Sequence, residues 1–458
     1  MSGPGGASAR ATAAPGRPTQ LYDVAVLGSA MPGLVAAALL AQRGLRVLHV
    51  APTAAGLYES GGWRMPTAPQ LLPSPKLLPI VRETLDELTL GPVIQRALEP
   101  VALQLLLPRS RFEPLREREL QRAFGAEAAP IAAALARLAA QVEATAPVAA
   151  GAPLLPLTLG ERLRRWNHVR ANRAILEAPL ALDGAGRLEA ALLALHRFAS
   201  LSCDDRPGGF AFARATAPLL HGLHHLPDGG LEAQLVGHVR ARRGDALVAR
   251  VEEVVLERGR FAGLRIGGEL WRARSLVAAL PAAELAGLLP EGRRRAAVRQ
   301  VAEPITAVPL RVRSLVVRSA GLPQPLAPLA IATAAGGAVA LLQTTPAWRD
   351  DGKEEKDARI LTVASWAREE EVDTLLEELL PFHERWIRHR AAPPIEPAAF
   401  RFAAPRQPAF EGLPVRSPVG GILHAGPELL PGLGLEGAFL AGRSVAAAAQ
   451  AIAGKDRR

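Results

Sequence analysis

Residues 23–52 read DVAVLGSAMPGLVAAALLAQRGLRVLHVAP, and no other stretch narrows the fold as much. An apolar run, Val24-Ala25-Val26-Leu27, meets the turn Gly28-Ser29-Ala30-Met31-Pro32-Gly33. A helix of small and aliphatic residues follows and stops at Gly44, and a second apolar run covers Arg46 to Val50. This is the strand–turn–helix–strand opening of a dinucleotide-binding unit. Gly28 lets the chain leave the strand sharply, and Gly33 lets the helix lie close on the sheet. The helix N-terminus offers N–H groups and a positive dipole end to a pyrophosphate. Two positions depart from the pattern. The closest backbone approach carries the methyl of Ala30, between Ser29 and Met31, and the end of the second strand carries Ala51 where an acid on the ribose hydroxyls is expected.

The chain has 458 residues, enough for two or three domains. Hydrophobic residues make up 49% and aromatics only 4%, so the cores are expected to be built from Leu, Ala and Val. The net charge of +10 comes almost wholly from arginine, with lysine only at Lys76, Lys353, Lys356 and Lys455. Acids are interspersed, and no recognition motif or aromatic–basic interleaving accompanies the charge, so no nucleic acid partner is expected. The bland account is a bias toward Ala, Arg, Gly and Pro codons; the functional account is a basic face in peripheral contact with anionic lipid. A single cysteine, Cys203, excludes an internal disulfide and a cysteine-rich metal site and fits a reducing cytoplasm. The first twenty residues, rich in Ala, Gly, Pro, Ser and Arg, read as a disordered tail without a signal-peptide core. No membrane-spanning helix is expected, because no run of about 18 apolar residues stands outside the amphipathic helices.

Past the opening unit, a Gly/Pro-rich region (52–75) leads to helical sequence over 77–98, a strand near 101–107, and helical segments over 115–144 and 159–200. From Asp228-Gly229-Gly230 the pattern changes. It predicts a helix over 231–243, one strand over 246–257 and a turn at Gly259-Arg260. A hairpin partner over 261–266 and a buried strand at 275–280 follow. Several strands are expected over 305–364, then a charged helix over 369–390.

The C-terminal segment, GILHAGPELLPGLGLEGAFLAGRSVAAAAQAIAG, reads as a short strand ending at Ala425-Gly426, a glycine-rich loop, and a small-residue helix from about Glu436. Together, Pro431 to Ala438, Ala441-Gly442-Arg443 and the opening fingerprint resemble the FAD-dependent amine oxidase and phytoene desaturase superfamily. The segment from Pro227-Asp228-Gly229-Gly230-Leu231 through Ser275–Pro281 follows that family's order as well. The resemblance covers roughly 200 residues, a length typical of one domain.

The resemblance implies an α/β chain with a discontinuous Rossmann-like FAD/NAD(P)-binding domain (21–75, 215–300 and 412–455). A mixed α+β substrate domain (76–214 and 301–411) completes it. It implies an FAD-dependent oxidoreductase of dehydrogenase, desaturase or amine-oxidase type, acting on an apolar small-molecule substrate by hydride transfer to flavin. Gly28, Ser29, Ala30, Met31 and Gly33 would surround the pyrophosphate, and Ala51 would stand at the ribose. Val251 would lie beside the adenine. Gly426 and Pro427 would occupy the position of an Ala-Gly-Asp motif, and the backbone of Glu436, Gly437 and Ala438 would face the flavin edge. The carboxylates absent at Ala51 and Pro427 would each contribute roughly 1.5–3 kcal/mol, together about two to four decades of affinity. The superfamily also includes Rab escort and GDP-dissociation-inhibitor proteins, so the alternative is a cofactor-free member binding a lipid or a protein. An NAD(P)-linked enzyme is a third reading. The nearest match to the family's Gly-Gly-Arg motif is Gly61-Gly62-Trp63-Arg64. His221, His224 and His225 are read as loop or core-edge residues, and Trp166 and His168 as residues on a helix surface.

Overall fold

The computed structural model describes residues 20–107, 110–112, 117–151, 154–180, 182–186, 188–203, 207–323, 326–334, 337–380, 383–403 and 411–455. The segment read as a tail therefore lies, but for residue 20, outside the described residues. The first apolar run forms strand Tyr22–Leu27, wholly buried, and the second forms Val47–Ala51, also wholly buried. Continuous burial on both faces is the signature of a central parallel strand covered by helices. The two pair in parallel and sit inside a seven-stranded sheet. Asp245–Val248 adds in parallel beside Val47–Ala51, and Glu269–Ala278 beside Tyr22–Leu27.

Strand Glu269–Ala278 serves two ladders. Its first half closes an antiparallel hairpin with Arg260–Ile266, and its second half pairs in parallel with Tyr22–Leu27 and with the short Ile422–His424. Helix Met31–Gln42 covers this sheet, buried from Pro32 to Ala41. It packs between Gly230–Ala241 and Gly434–Lys455. Small residues permit the close crossing: a Cβ on Gly442 would stand 2.6 Å from Val35 Cβ. Each fully buried Leu of this helix contributes about 1.5–3 kcal/mol.

The second layer system is a nine-stranded sheet built mainly from Arg311–Arg318, Glu354–Ser365, Val339–Arg349 and Leu329–Thr333 in antiparallel neighbours. Strand Leu103–Leu107 joins it in parallel with Leu329–Thr333. Helices Ala128–Ala150, Leu188–Ser200 and Gly209–His221 pack on it through Leu135, Leu192, Phe212 and their neighbours. The hairpin Leu57–Ser60 and Trp63–Pro66 attaches to the edge of this second sheet through Trp63 and Arg64.

Three expectations change. The strand read as 246–257 is two strands. Asp245–Val248 extends the parallel sheet, and Val251–Glu257 turns into the antiparallel hairpin, with Ala249-Arg250 between them. The helix read as 369–390 spans only Glu369–Leu379; Ile387–Ala391 is an edge strand on Arg311–Arg318. The charged periodicity is compatible with a helix, but the exposed sheet edge takes the last residues into its ladder. Third, residues 118–149 are long and apolar enough by length and composition to cross a membrane, at mean hydropathy 1.3 with a third of the window buried. In the fold, Ile131, Ala134, Leu135 and Leu138 of this stretch are buried in the core of the second layer system.

Four histidines are buried among the described residues: His49, His196, His238 and His424. Burial pushes His49 and His424 down to about 4 and His196 to about 3. An unfolded chain binds a proton on each below about 6.5, which the folded chain does not take until about 4. Stability therefore falls as pH drops from about 6.5 to 4, by about 1.4 kcal/mol per pH unit for each histidine. Glu428, raised to about 7 by burial, contributes the opposite slope between about 4.5 and 7, as its folded form keeps a proton the unfolded form has lost. Replacing His424 by Leu is expected to remove about one proton from the acid-side slope. Urea denaturation of both proteins at pH 5 and 6.5 checks this, and equal slopes would refute it.

Candidate functional site

The strand–turn–helix opening is shaped by one neighbour, Ala279. Gly28 has a φ of +100°, and a Cβ there would stand 2.2 Å from the Ala279 carbonyl oxygen. A Cβ on Gly33 would stand 2.0 Å from Ala279 Cβ. Both glycines are thus required by contact with the strand that enters sequence more than two hundred residues later. The Ala30 N–H donates to Ala279 O at 3.0 Å, and the Gly33 N–H turns back to Ala30 O at 2.9 Å. Pro32 has no N–H. The donors the turn still presents are the N–H groups of Ser29 and Met31 and the Ser29 hydroxyl. No acid stands in the first turn of this helix, so its dipole is free to meet an anion. Beneath the turn, His49 Nε2 donates to Gly28 O at 2.9 Å, while burial keeps the ring neutral.

This turn opens on a cavity of about 1170 Å³ that runs between the two layer systems. Gly28, Ser29, Ala30 and Met31 line it on one side, and Val251 borders another end. Pro427, Gly437 and Ala438 line the wall beside the closing helix. Gly33, Ala51, Gly426 and Glu436 stand behind the wall rather than on it. Ala51 is buried as the last residue of its strand, and Pro52 and Thr53 carry the wall onward. Gly61-Gly62-Trp63-Arg64 forms the turn and return of the second-sheet hairpin. Trp63 is buried under the Arg349 guanidinium at 3.6 Å, and none of the four lines the cavity.

Two acids of the C-terminal segment, Glu436, which the resemblance placed at the flavin edge, and Glu428, are turned inward. Glu436, in the first turn of helix Gly434–Lys455, pairs with Arg214 of helix Gly209–His221, Nε to Oε2 at 2.8 Å. Both side chains are almost fully buried, at 5% and 2% exposure. Arg214 escaped sequence reasoning because it lies in an apolar helix and its partner is 222 residues away. Glu428, next to Pro427, accepts the Ala282 N–H at 2.8 Å and caps helix Ala282–Leu288. Gly426 makes room for it, since a Cβ there would stand 2.1 Å from Glu428 Oε2. The wall facing the cavity at both helix starts is therefore backbone and small side chains.

The far part of the cavity belongs to the second layer system. Phe198, Leu201, Leu310, Leu341, Ala364 and Phe400 line it. Phe198 is held by Trp366, stacked at 4.3 Å. Gln70 and Ser200 are the polar side chains there, and Glu396 stands exposed at the rim. The cavity is thus polar at its backbone-lined end and apolar at the other.

No family model matches the chain, and no curated protein matches it in sequence. Solved structures do match over nearly its whole length. An oxidoreductase from Methanosarcina mazei matches at 14% identity and a TM-score of 0.58, covering 92% of this chain and 99% of the other. Putrescine oxidase bound to putrescine matches at 14% identity and 0.53, covering 94% and 99%. Cyclohexylamine oxidase from Brevibacterium oxydans matches at 16% identity and 0.53, covering 95% and 100%. These likenesses show the fold: a Rossmann-like α/β domain joined to a second domain built on a mixed sheet, the architecture those oxidases share.

The Arg214–Glu436 pair anchors the closing helix start, and a buried pair broken on one side leaves an unpaired charge. Arg214→Leu is expected to destabilise the protein by about 3–5 kcal/mol, and the Arg214→Leu/Glu436→Leu double variant to recover most of that loss. Chemical denaturation of the wild type, both single variants and the double variant measures the coupling. Additive losses would show that the pair does not act as a unit.

Proposed function

We propose that the protein is an FAD-dependent oxidoreductase acting on an apolar small molecule. The observation that carries this reading is the single cavity, continuous from a dinucleotide turn to an apolar pocket. The residues present suit a dinucleotide. The Gly28–Met31 turn offers donors and a helix dipole to a pyrophosphate, and helix Gly434–Lys455 begins at the cavity wall with Gly434 and Leu435, where its first-turn N–H groups have no intrahelical partner. Bound FAD would supply the hydride-accepting chemistry. The chain's part would be to orient the substrate on Phe198, Leu341 and Phe400, to exclude water with apolar walls, and to present the positive end of helix Gly434–Lys455 at the cavity. A charged amine would call for a carboxylate inside the pocket, and the acid at this end, Glu396, stands exposed at the rim, so an uncharged apolar substrate suits the pocket better. The named neighbours putrescine oxidase and cyclohexylamine oxidase support oxidoreductase chemistry on this fold.

The test is spectroscopic. The purified chain, incubated with FAD and desalted, is expected to retain flavin absorption bands and to quench FAD fluorescence on titration. A folded sample that takes up no FAD at saturating addition overturns the reading in favour of a cofactor-free lipid- or protein-binding member of the fold. Ala30, Ala51 and Pro427 are the residues that favour that second reading.

We also infer peripheral contact with an anionic membrane, the source from which an apolar substrate would be drawn. Helix Leu159–Ala171 buries no residue, and Leu159, Leu163 and Trp166 are 73%, 57% and 59% exposed. Their spacing puts them on one face. Arg162 and Arg170 flank that face, with Arg170 lying over the Trp166 ring at 5.6 Å. An aromatic-aliphatic stripe bordered by arginine is the pattern of an interfacial helix. The chain is expected to co-sediment with vesicles containing phosphatidylglycerol, less so at high salt, and Leu163→Asp/Trp166→Asp to abolish this. Equal sedimentation with neutral and anionic vesicles, or none with either, would refute it.

A further inference from the structure

The strand that should end in a ribose-binding acid ends in Ala51, yet the cavity beside it is not without a carboxylate. Three segments border this end. The loop after Val47–Ala51 contributes Pro52, Thr53, Ala54 and Gly56; the strand break contributes Ala249, Arg250 and Val251; helix Gly230–Ala241 contributes Leu231 and Glu232. They are locked together by backbone. The Ala249 N–H donates to Ala51 O at 2.9 Å. A Cβ on Gly56 would stand 1.9 Å from Gly229 O, so the loop lies directly on the start of that helix. The helix is entered through Asp228, Gly229 and Gly230, all in the left-handed region, a turn that brings the first helical residues to the cavity wall.

We propose that Glu232, from the first turn of helix Gly230–Ala241, holds the ribose hydroxyls of the cofactor's adenosine half in place of the acid that strand Val47–Ala51 lacks. A vicinal diol offers two O–H donors, and a carboxylate is the side chain that accepts both. Among the described residues Glu232 has no ion pair and no hydrogen bond from another side chain; its carboxyl meets its own backbone N–H. The side chain is partly buried on the cavity wall, and desolvation there raises its pKa. The other acids on the cavity wall are exposed: Glu284 on helix Ala282–Leu288, which packs against Val251–Glu257, and Glu396 at the rim of the substrate end. The bland role of a first-turn acid is to complement the helix dipole, which needs no ligand.

This inference rests on the FAD reading, and the experiment separates the two. Calorimetric titration compares FAD, ADP and 2′,3′-dideoxy-ADP on the wild type, Glu232→Gln and Glu232→Ala, with folding checked by circular dichroism. The wild type is expected to bind ADP about 10- to 100-fold more tightly than the dideoxy nucleotide, the range of a charged hydrogen bond. That ratio should shrink in Glu232→Gln and fall close to one in Glu232→Ala. Either variant keeping the wild-type ratio, losing both nucleotides equally, or a wild type that binds ADP without discrimination would overturn the proposal while leaving FAD binding intact. A wild type that binds neither FAD nor ADP would overturn the FAD reading and this one with it.

Discussion

The contact on which the site depends is the approach of two distant chain segments to Ala279 and Leu280. Gly28 and Gly33 press on Ala279 from one side, with no room for a Cβ at either position. The Ala279 N–H donates to Leu27 O at 2.7 Å, tying the first strand's end to the later strand's end. From the other side Gly426 fits against Leu280 O, where a Cβ would stand at 2.8 Å. The fingerprint turn, the Pro281 wall and the start of the closing loop thus occupy one place. A side chain larger than hydrogen at any of the three glycines would push apart backbones that no rotamer change relieves.

Around that junction the charges are arranged so that the cavity wall stays uncharged where two helices begin. Glu428 and Glu436 are each satisfied inward, one by the Ala282 N–H and one by Arg214. A buried acid without such a partner would cost several kcal/mol, so both pairings are conditions of the fold. Their consequence for the site is that backbone N–H groups and small side chains face the cavity. Glu232 is the contrast: an acid on the cavity wall whose partner is not another side chain.

The cavity joins the two layer systems, and its character changes along its length because each contributes a different surface. The Rossmann-like part supplies turns and helix starts, which are polar by backbone. The substrate part supplies sheet and helix faces, which are apolar because the same residues would otherwise form core. Phe198, stacked on Trp366, is a core pair with one edge on the cavity.

The opening unit and the closing helix were legible from residue order, because glycine spacing and apolar runs act over neighbours of fewer than ten residues. Those local signals also carried the fold class, and the solved structures agree with it. The break at Ala249-Arg250 was not legible: both halves alternate like one strand, and only competition between the parallel sheet and the hairpin divides them. The same holds for Ile387–Ala391, which looks helical until a sheet edge claims it. Within the site, sequence identified the missing acids at Ala51 and Pro427 but not where the remaining acids point. Whether Glu428, Glu436 or Glu232 faces the cavity depends on Ala282, Arg214 and Gly56, residues far away in the chain. Local sequence determined that a glycine-shaped strand–helix turn exists; tertiary contact decided which acids turn inward and which line the cavity, because the direction of a side chain is set by the surfaces it is packed between.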